Sequence, residues 1–137
     1  MVKCREFRKW LKICKMTKCN QDIPYIRKII CGVIPYQLTD SEERKVFHIY
    51  NKANTTFKSI FSMGDVKATD PYVPYMVGKI LEDMFSKNTH ENIRKRSLLE
   101  CIHVQGDNTI TKRDKKWRQV CERIGMIYRP TVKSDYY

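Results

Sequence analysis

The chain has 137 residues, with 27 lysines and arginines against 15 aspartates and glutamates, a formal charge of +12 and a sequence pI near 9.5. That length can bury a core without metals or disulfides, and 42% apolar with 31% charged residues fits a soluble globular protein. The cationic excess favours nucleic acid or another anionic surface as partner and is silent about the fold.

Val2 to Lys18 reads as an amphipathic helix. Phe7, Trp10, Leu11 and Cys14 form its apolar stripe, and Arg5, Arg8, Lys9, Lys12 and Lys15 make a second basic face. Such a helix can pack on the domain with a solvated basic back, lie on an anionic membrane, or track phosphates. Packing with an added electrostatic role fits the narrow aromatic stripe best, and membrane attachment ranks below it. Asn20 to Pro24 is a turn. Tyr25, Ile26, Ile29, Ile30 and Val33 then give a short helix with a wide apolar face, expected to be buried and stopped near Gly32 and Pro35.

A longer helix is predicted from Thr39 to about Phe61, capped by Asp40 or Ser41, with Glu42 and Glu43 at its positive end. Val46, Phe47, Ile49, Tyr50, Ala53, Phe57, Ile60 and Phe61 supply its core side, and His48 among them reads as a packing histidine. After a loop carrying Gly64, Asp70 caps a helix with Pro71 at its first position. Tyr72, Tyr75, Met76, Ile80, Leu81, Met84 and Phe85 make that helix the most apolar and central. Past a polar turn at Lys87 to His90, a helix bearing Ile93, Leu98, Leu99, Ile102 and Val104 opens with Arg94, Lys95 and Arg96.

Gln105 to Asn108 is a turn, and the last helix is expected to start at Thr111, with Asp114 completing a capping box. Trp117, Val120, Cys121 and Ile124 form its apolar stripe, and Gly125 ends it. Lys112, Arg113, Lys115, Lys116 and Arg118 crowd the opening turns, where the helix dipole disfavours cations. Such a cluster suits an external polyanion; a solvated face on a packing helix gives the same pattern. Met126 to Tyr128 reads as a short strand or a packed end, and residues 132–137 as a frayed tail. Five or six helices with short connections predict one all-α domain over residues 1–137, a compact bundle with 39–131 as its core.

The chemistry of catalysis has no constellation here. His48, His90 and His103 form no metal-binding pair, no glycine-rich phosphate loop occurs, and the acids are sparse. Of six cysteines none has CxxC spacing, so a zinc ribbon is not supported and no metal or cofactor is expected; a four-thiolate site from Cys4, Cys14, Cys19 and Cys31 is the minor alternative, with irregular spacing against it. Cys101 and Cys121 fall on apolar helix faces as small hydrophobes. No run approaches transmembrane length and no signal peptide is evident.

Three segments carry a family resemblance. They are Pro71 to Leu81 (PYVPYMVGKIL), the spacing Asp114–x–x–Trp117–x–x–Val120–Cys121–x–x–Ile124–Gly125 behind its basic patch, and the close from Met126 to Thr131. In these the second half of the chain resembles the late transcription factor 3-like family of poxviruses and other large cytoplasmic DNA viruses. The resemblance implies a factor acting after viral DNA replication, with viral RNA polymerase and late promoters as partners, in the host cytoplasm or the virion. Members often carry an N-terminal zinc ribbon; here a basic helix stands in its place. The expected function is non-enzymatic nucleic-acid binding, DNA first. Lys112, Arg113, Lys115, Lys116 and Arg118 would meet phosphates, with Arg94, Lys95 and Arg96 as another patch. The alternative is a minor virion protein that bridges capsid proteins or packaged genome.

Overall fold

The structure, a computed structural model, describes residues 3–32, 37–61, 72–86, 92–102, 105–133 and 136. Every regular element among them is helical: α1 (Cys4–Ile13), a 3₁₀ segment (Thr17–Asp22), α2 (Ile23–Cys31), α3 (Asp40–Phe61), α4 (Val73–Met84), α5 (Asn92–Glu100) and α6 (Asp107–Ile124). The protein is all-α. Its contacts gather into two compact units, one of residues 1–37, 88–103 and 132–137, the other of residues 38–87 and 104–131.

In the first unit α1 is shorter than its apolar pattern suggests. Lys15 takes a left-handed conformation (φ 58°), and the Met16 amide closes back on the Leu11 carbonyl at 2.7 Å. That turn ends the helix five residues before Lys18. Cys4, Phe7 and Ile23 form the core between α1 and α2, with Leu11 and Ile26 against it. Gly32 stops α2 at φ 68°, as expected of a left-handed cap.

The burial expected of α2 does not follow. Ile23 alone is buried on it, while Tyr25, Ile29 and Ile30 are each about two-thirds exposed. An amphipathic pattern says which face seeks cover, not whether the chain supplies it. Leu98 and Leu99 of α5 are buried, and so is Tyr136, where a frayed tail was expected.

Glu100 ties this unit together. Its Oε1 accepts the Cys4 amide at 2.9 Å, one of the orphan donors at the start of α1, and Oε2 lies 3.5 Å from Arg27 Nη1. Arg8 Nη2 donates to the Glu100 carbonyl at 2.9 Å and the Ile102 carbonyl at 3.1 Å. Arg8 therefore faces its own protein and leaves the second basic face expected of α1.

In the second unit α3 starts with a reciprocal capping box. Thr39 Oγ1 accepts the Glu42 amide at 3.2 Å, and Glu42 Oε1 accepts the Thr39 amide at 2.9 Å. Thr39 is thus the cap, not Asp40 or Ser41. Val46, Ala53 and Phe57 set the buried face. Phe47 and His48 sit roughly 100° and 200° round the helix from Val46. Both are exposed, which corrects their reading as core residues.

Helix α4 begins at Val73, with Tyr72 as its N-cap and Pro74 in its first turn. The readings on Asp70, Pro71, the Gly64 loop, the 87–90 turn, His103 and Val104 lie outside the described residues. Met76, Ile80, Leu81 and Phe85 are buried as expected, and so are Lys79 and Glu82, which were not. Residues 126–131 run as irregular chain, not a strand.

Candidate nucleic-acid interface

Helix α6 carries the predicted site, and it starts earlier than its sequence suggests. Gly106 is its N-cap and Asp107 its first residue, four positions before Thr111. The proposed Thr111–Asp114 capping box does not exist. Thr111 is already helical and donates its hydroxyl to the Asp107 carbonyl at 2.9 Å. Asp114 points inward instead. Its Oδ1 accepts from Tyr75 at 2.5 Å and from the Thr131 hydroxyl at 2.7 Å, and its Oδ2 accepts the Thr131 amide at 2.9 Å.

The earlier start changes the electrostatic reading. Lys112 is the sixth helical residue, and the dipole effect fades within the first turn. The cations are therefore not held against the dipole, and that ground for an external polyanion falls. What remains is geometric. Ile110, Asp114, Trp117, Val120 and Cys121 turn inward, with Trp117 3% exposed and edge-on to Tyr75 at 6.4 Å between centroids. Directly opposite, Asn108, Lys112, Lys115, Gln119 and Arg123 recur at intervals of four, three, four and four, and all five are exposed. At 1.5 Å per residue this polar stripe is about 22 Å long.

The structure separates the five predicted α6 cations into two groups. Lys112 and Lys115 stand on the outer stripe. Arg113, Lys116 and Arg118 lie on the shoulders against aromatic faces. The Arg113 guanidinium sits 4.9 Å above the Tyr72 ring, and its Nε donates to Gln105 Oε1 at 2.6 Å. Lys116 Nζ lies 5.3 Å from the Phe61 ring centroid and 5.9 Å from that of Phe57. Arg118 stacks at 5.9 Å over Tyr128 and pairs at 3.7 Å with Glu122, an exposed pair of little energetic weight.

Of the remaining predicted cations, Lys95 is half-buried on α5, in the first unit. The side chains of Arg94 and Arg96 lie outside the described residues. Arg5, Lys9, Lys12 and Lys15 are exposed in the first unit. Asn108, Gln119 and Arg123 were missed by sequence reasoning. The opposite-face periodicity from Lys112 and Lys115 already reaches Gln119 and Arg123, and only Asn108 needs the earlier start at Asp107.

Beneath the stripe is a buried ionic cluster. Lys79 Nζ, with its side chain 1% exposed, donates to the Arg129 carbonyl at 2.8 Å and lies 3.2 Å from Glu82 Oε2 and 3.8 Å from Asp114 Oδ1. Arg129 Nη1 meets Asp83 Oδ1 at 2.7 Å. Burial, then the Asp114 bond and charge, push the Tyr75 hydroxyl far above its ordinary range. Burial drives the Cys121 thiol up to about 12, aided by the Asp83 charge. These groups fasten residues 129–131 onto α4 and α6 and so hold the outer stripe on a rigid base.

Cys4 and Cys121 are buried, and burial raises both thiols, whereas Cys14 and Cys31 are exposed. Among the described residues no three His, Cys, Asp or Glu side chains converge as ligands.

Comparison with known proteins agrees with the family resemblance read above and extends it. A family model described as "Poxvirus Late Transcription Factor VLTF3 like" matches residues 1–128, so the likeness includes the N-terminal half as well. Zinc finger protein B385R of African swine fever virus, isolate Pig/Kenya/KEN-50/1950, is 26% identical over 135 residues, which are 98% of this chain and 34% of that protein. The same figures hold for the protein of isolate Warthog/Namibia/Wart80/1980. The chain spans about a third of the length of these curated relatives. No solved structure matches it.

Proposed function

The chain belongs to the poxvirus late transcription factor VLTF3-like family, and from that premise we propose that it is a non-enzymatic nucleic-acid-binding factor of viral late transcription. The observation that carries this reading is the outer stripe of α6, where Lys112, Lys115 and Arg123 stand exposed opposite a tryptophan-pinned core. Three cations along about 16 Å of helix suit a run of phosphates on a duplex. Arg113, Lys116 and Arg118 flank them. The proposal includes viral RNA polymerase or other viral proteins as further partners and the host cytoplasm as the place of action, with family membership as its support.

The test is salt-dependent binding to duplex DNA, single-stranded DNA and RNA. Each neutralised phosphate on duplex DNA contributes about 0.9 to the slope of log affinity against log salt. Lys112→Glu with Lys115→Glu should lower affinity more than tenfold and reduce that slope by roughly two, with the melting temperature unchanged. Unchanged affinity in this double variant removes α6 as the interface.

A further inference from the structure

The first unit exposes more apolar surface than its fold accounts for. Trp10 is 49% exposed, Ile13 78%, Met16 51%, Tyr25 66%, Ile29 64% and Ile30 68%. All six lie within 21 residues of sequence, on α1, α2 and the turn between them. Scattered exposed apolar residues need no explanation, but six within one short stretch of two packed helices are more than scatter. The same stretch is strongly cationic, with nine lysines and arginines against two acids over residues 3–31. Arg8 and Arg27 turn inward to the Glu100 region, while Lys9, Lys12, Lys15, Lys18 and Lys28 are exposed.

We propose that the α1–α2 face is a seat for an anionic lipid bilayer, in which Trp10, Ile13, Ile29 and Ile30 enter the interfacial region while the surrounding lysines engage lipid headgroups. Two short helices with apolar side chains outward and lysines around them have the composition of an interfacial element rather than a spanning one. No described helix is long and apolar enough to cross a membrane. Trp and Tyr settle at headgroup level, and lysine stems reach from the apolar layer to the phosphates.

The charge pattern chooses between occupants. A second copy would bring the same cations to the contact and repel. Protein interfaces are depleted in lysine and enriched in arginine, whereas Arg5 is the single arginine among the exposed cations of residues 3–31. Clustered lysines are the pattern that anionic leaflets attract. The face belongs to the first unit and α6 to the second, so the two readings are tested on different residues.

The protein carries its own reporter. Of its two tryptophans, Trp117 is 3% exposed and Trp10 is half exposed. The full chain is mixed with vesicles of phosphatidylcholine, with or without about one third phosphatidylserine. It should float with the anionic vesicles and not the neutral ones, with a blue shift in emission that Trp10→Phe removes. Ile13→Glu with Ile29→Glu, both at exposed positions, should cut partitioning about tenfold or more while circular dichroism and DNA binding stay unchanged. Failure to float overturns the proposal. So does flotation that the double variant retains in full without a blue shift. A blue shift produced by an acidic amphipathic helical peptide but not by vesicles also overturns it and makes the face a protein-docking surface.

Discussion

Tyr75 donates its phenolic hydrogen to Asp114 across 2.5 Å and so joins α4 to α6 over 39 positions of sequence. The same carboxylate accepts both the amide and the hydroxyl of Thr131 and lies 3.8 Å from the buried Lys79 ammonium. Asp114→Ala leaves the Tyr75 hydroxyl and the Thr131 amide without this acceptor and removes an anion beside a buried cation. The expected loss is about 3–5 kcal/mol of unfolding free energy, read by urea titration. Asp114→Asn keeps the shape and one acceptor oxygen and should cost less. A loss under about 1 kcal/mol for the alanine variant would show that the cluster is not what fastens residues 129–131.

Alkaline pH should destabilise the protein from about pH 9 upward. Burial raises the folded thiol of Cys101 to about 11 and that of Cys121 to about 12, and Tyr75 is raised too. A raised folded pKa means that the folded state holds its proton after the unfolded chain has released it. The stability is whole below the unfolded thiol range and falls as pH rises through the folded values. Each such group contributes a slope of up to about 1.4 kcal/mol per pH unit in that window. Stability of the reduced protein between pH 8 and 11 checks this, and Cys121→Ala should make the fall shallower.

Glu100 closes the start of α1 from 96 residues away through the Cys4 amide and pairs with Arg27. Glu100→Gln keeps one acceptor but loses the charge at a positive helix end, and should cost about 1–2 kcal/mol. Helical content should fall in the first unit, seen as faster hydrogen exchange over residues 4–13. Exchange over α6 should not change.

Lys15 offers the opposite sign. It sits at φ 58°, where a side chain is strained and glycine is not. Lys15→Gly should leave stability unchanged or raise it by up to about 1 kcal/mol, despite the entropy glycine adds to the unfolded chain. A clear loss would mean that the lysine side chain makes contacts which outweigh the strain.

The helices and their glycine stops at Gly32 and Gly125 were legible because they depend on neighbours three and four residues apart. The inward stripe of Trp117, Val120 and Cys121 was legible for the same reason. The start of α6 was not. Thr111 and Asp114 have the spacing of a cap, but Asp114 answers to Tyr75 and Thr131, partners that no local pattern discloses. Lys79 reads as a surface residue on an apolar helix until the Arg129 carbonyl and Glu82 are brought to it. Apolar periodicity on α2 placed Ile26 against the core but misplaced Tyr25, Ile29 and Ile30, because cover is a property of the whole fold.

The five basic residues first read as one patch on α6 should therefore behave as two sets. Lys112 and Lys115 stand clear, so replacing either by alanine should lower the salt slope of DNA binding by about 0.9 and leave stability within about 0.5 kcal/mol. Arg113 and Lys116 lie on aromatic rings, and Arg113 also holds Gln105 at 2.6 Å. A cation over a ring contributes about 0.5–1 kcal/mol at an exposed site and more when desolvated. Arg113→Ala and Lys116→Ala should each lower the melting temperature as well as weaken binding. Arg113→Lys should recover the charge but not the Gln105 bond or the planar stacking. Its DNA affinity should return further than its stability does. Equal loss of stability across all four alanine variants would mean that the cations are interchangeable parts of the fold, and the outer stripe would lose its claim to a partner.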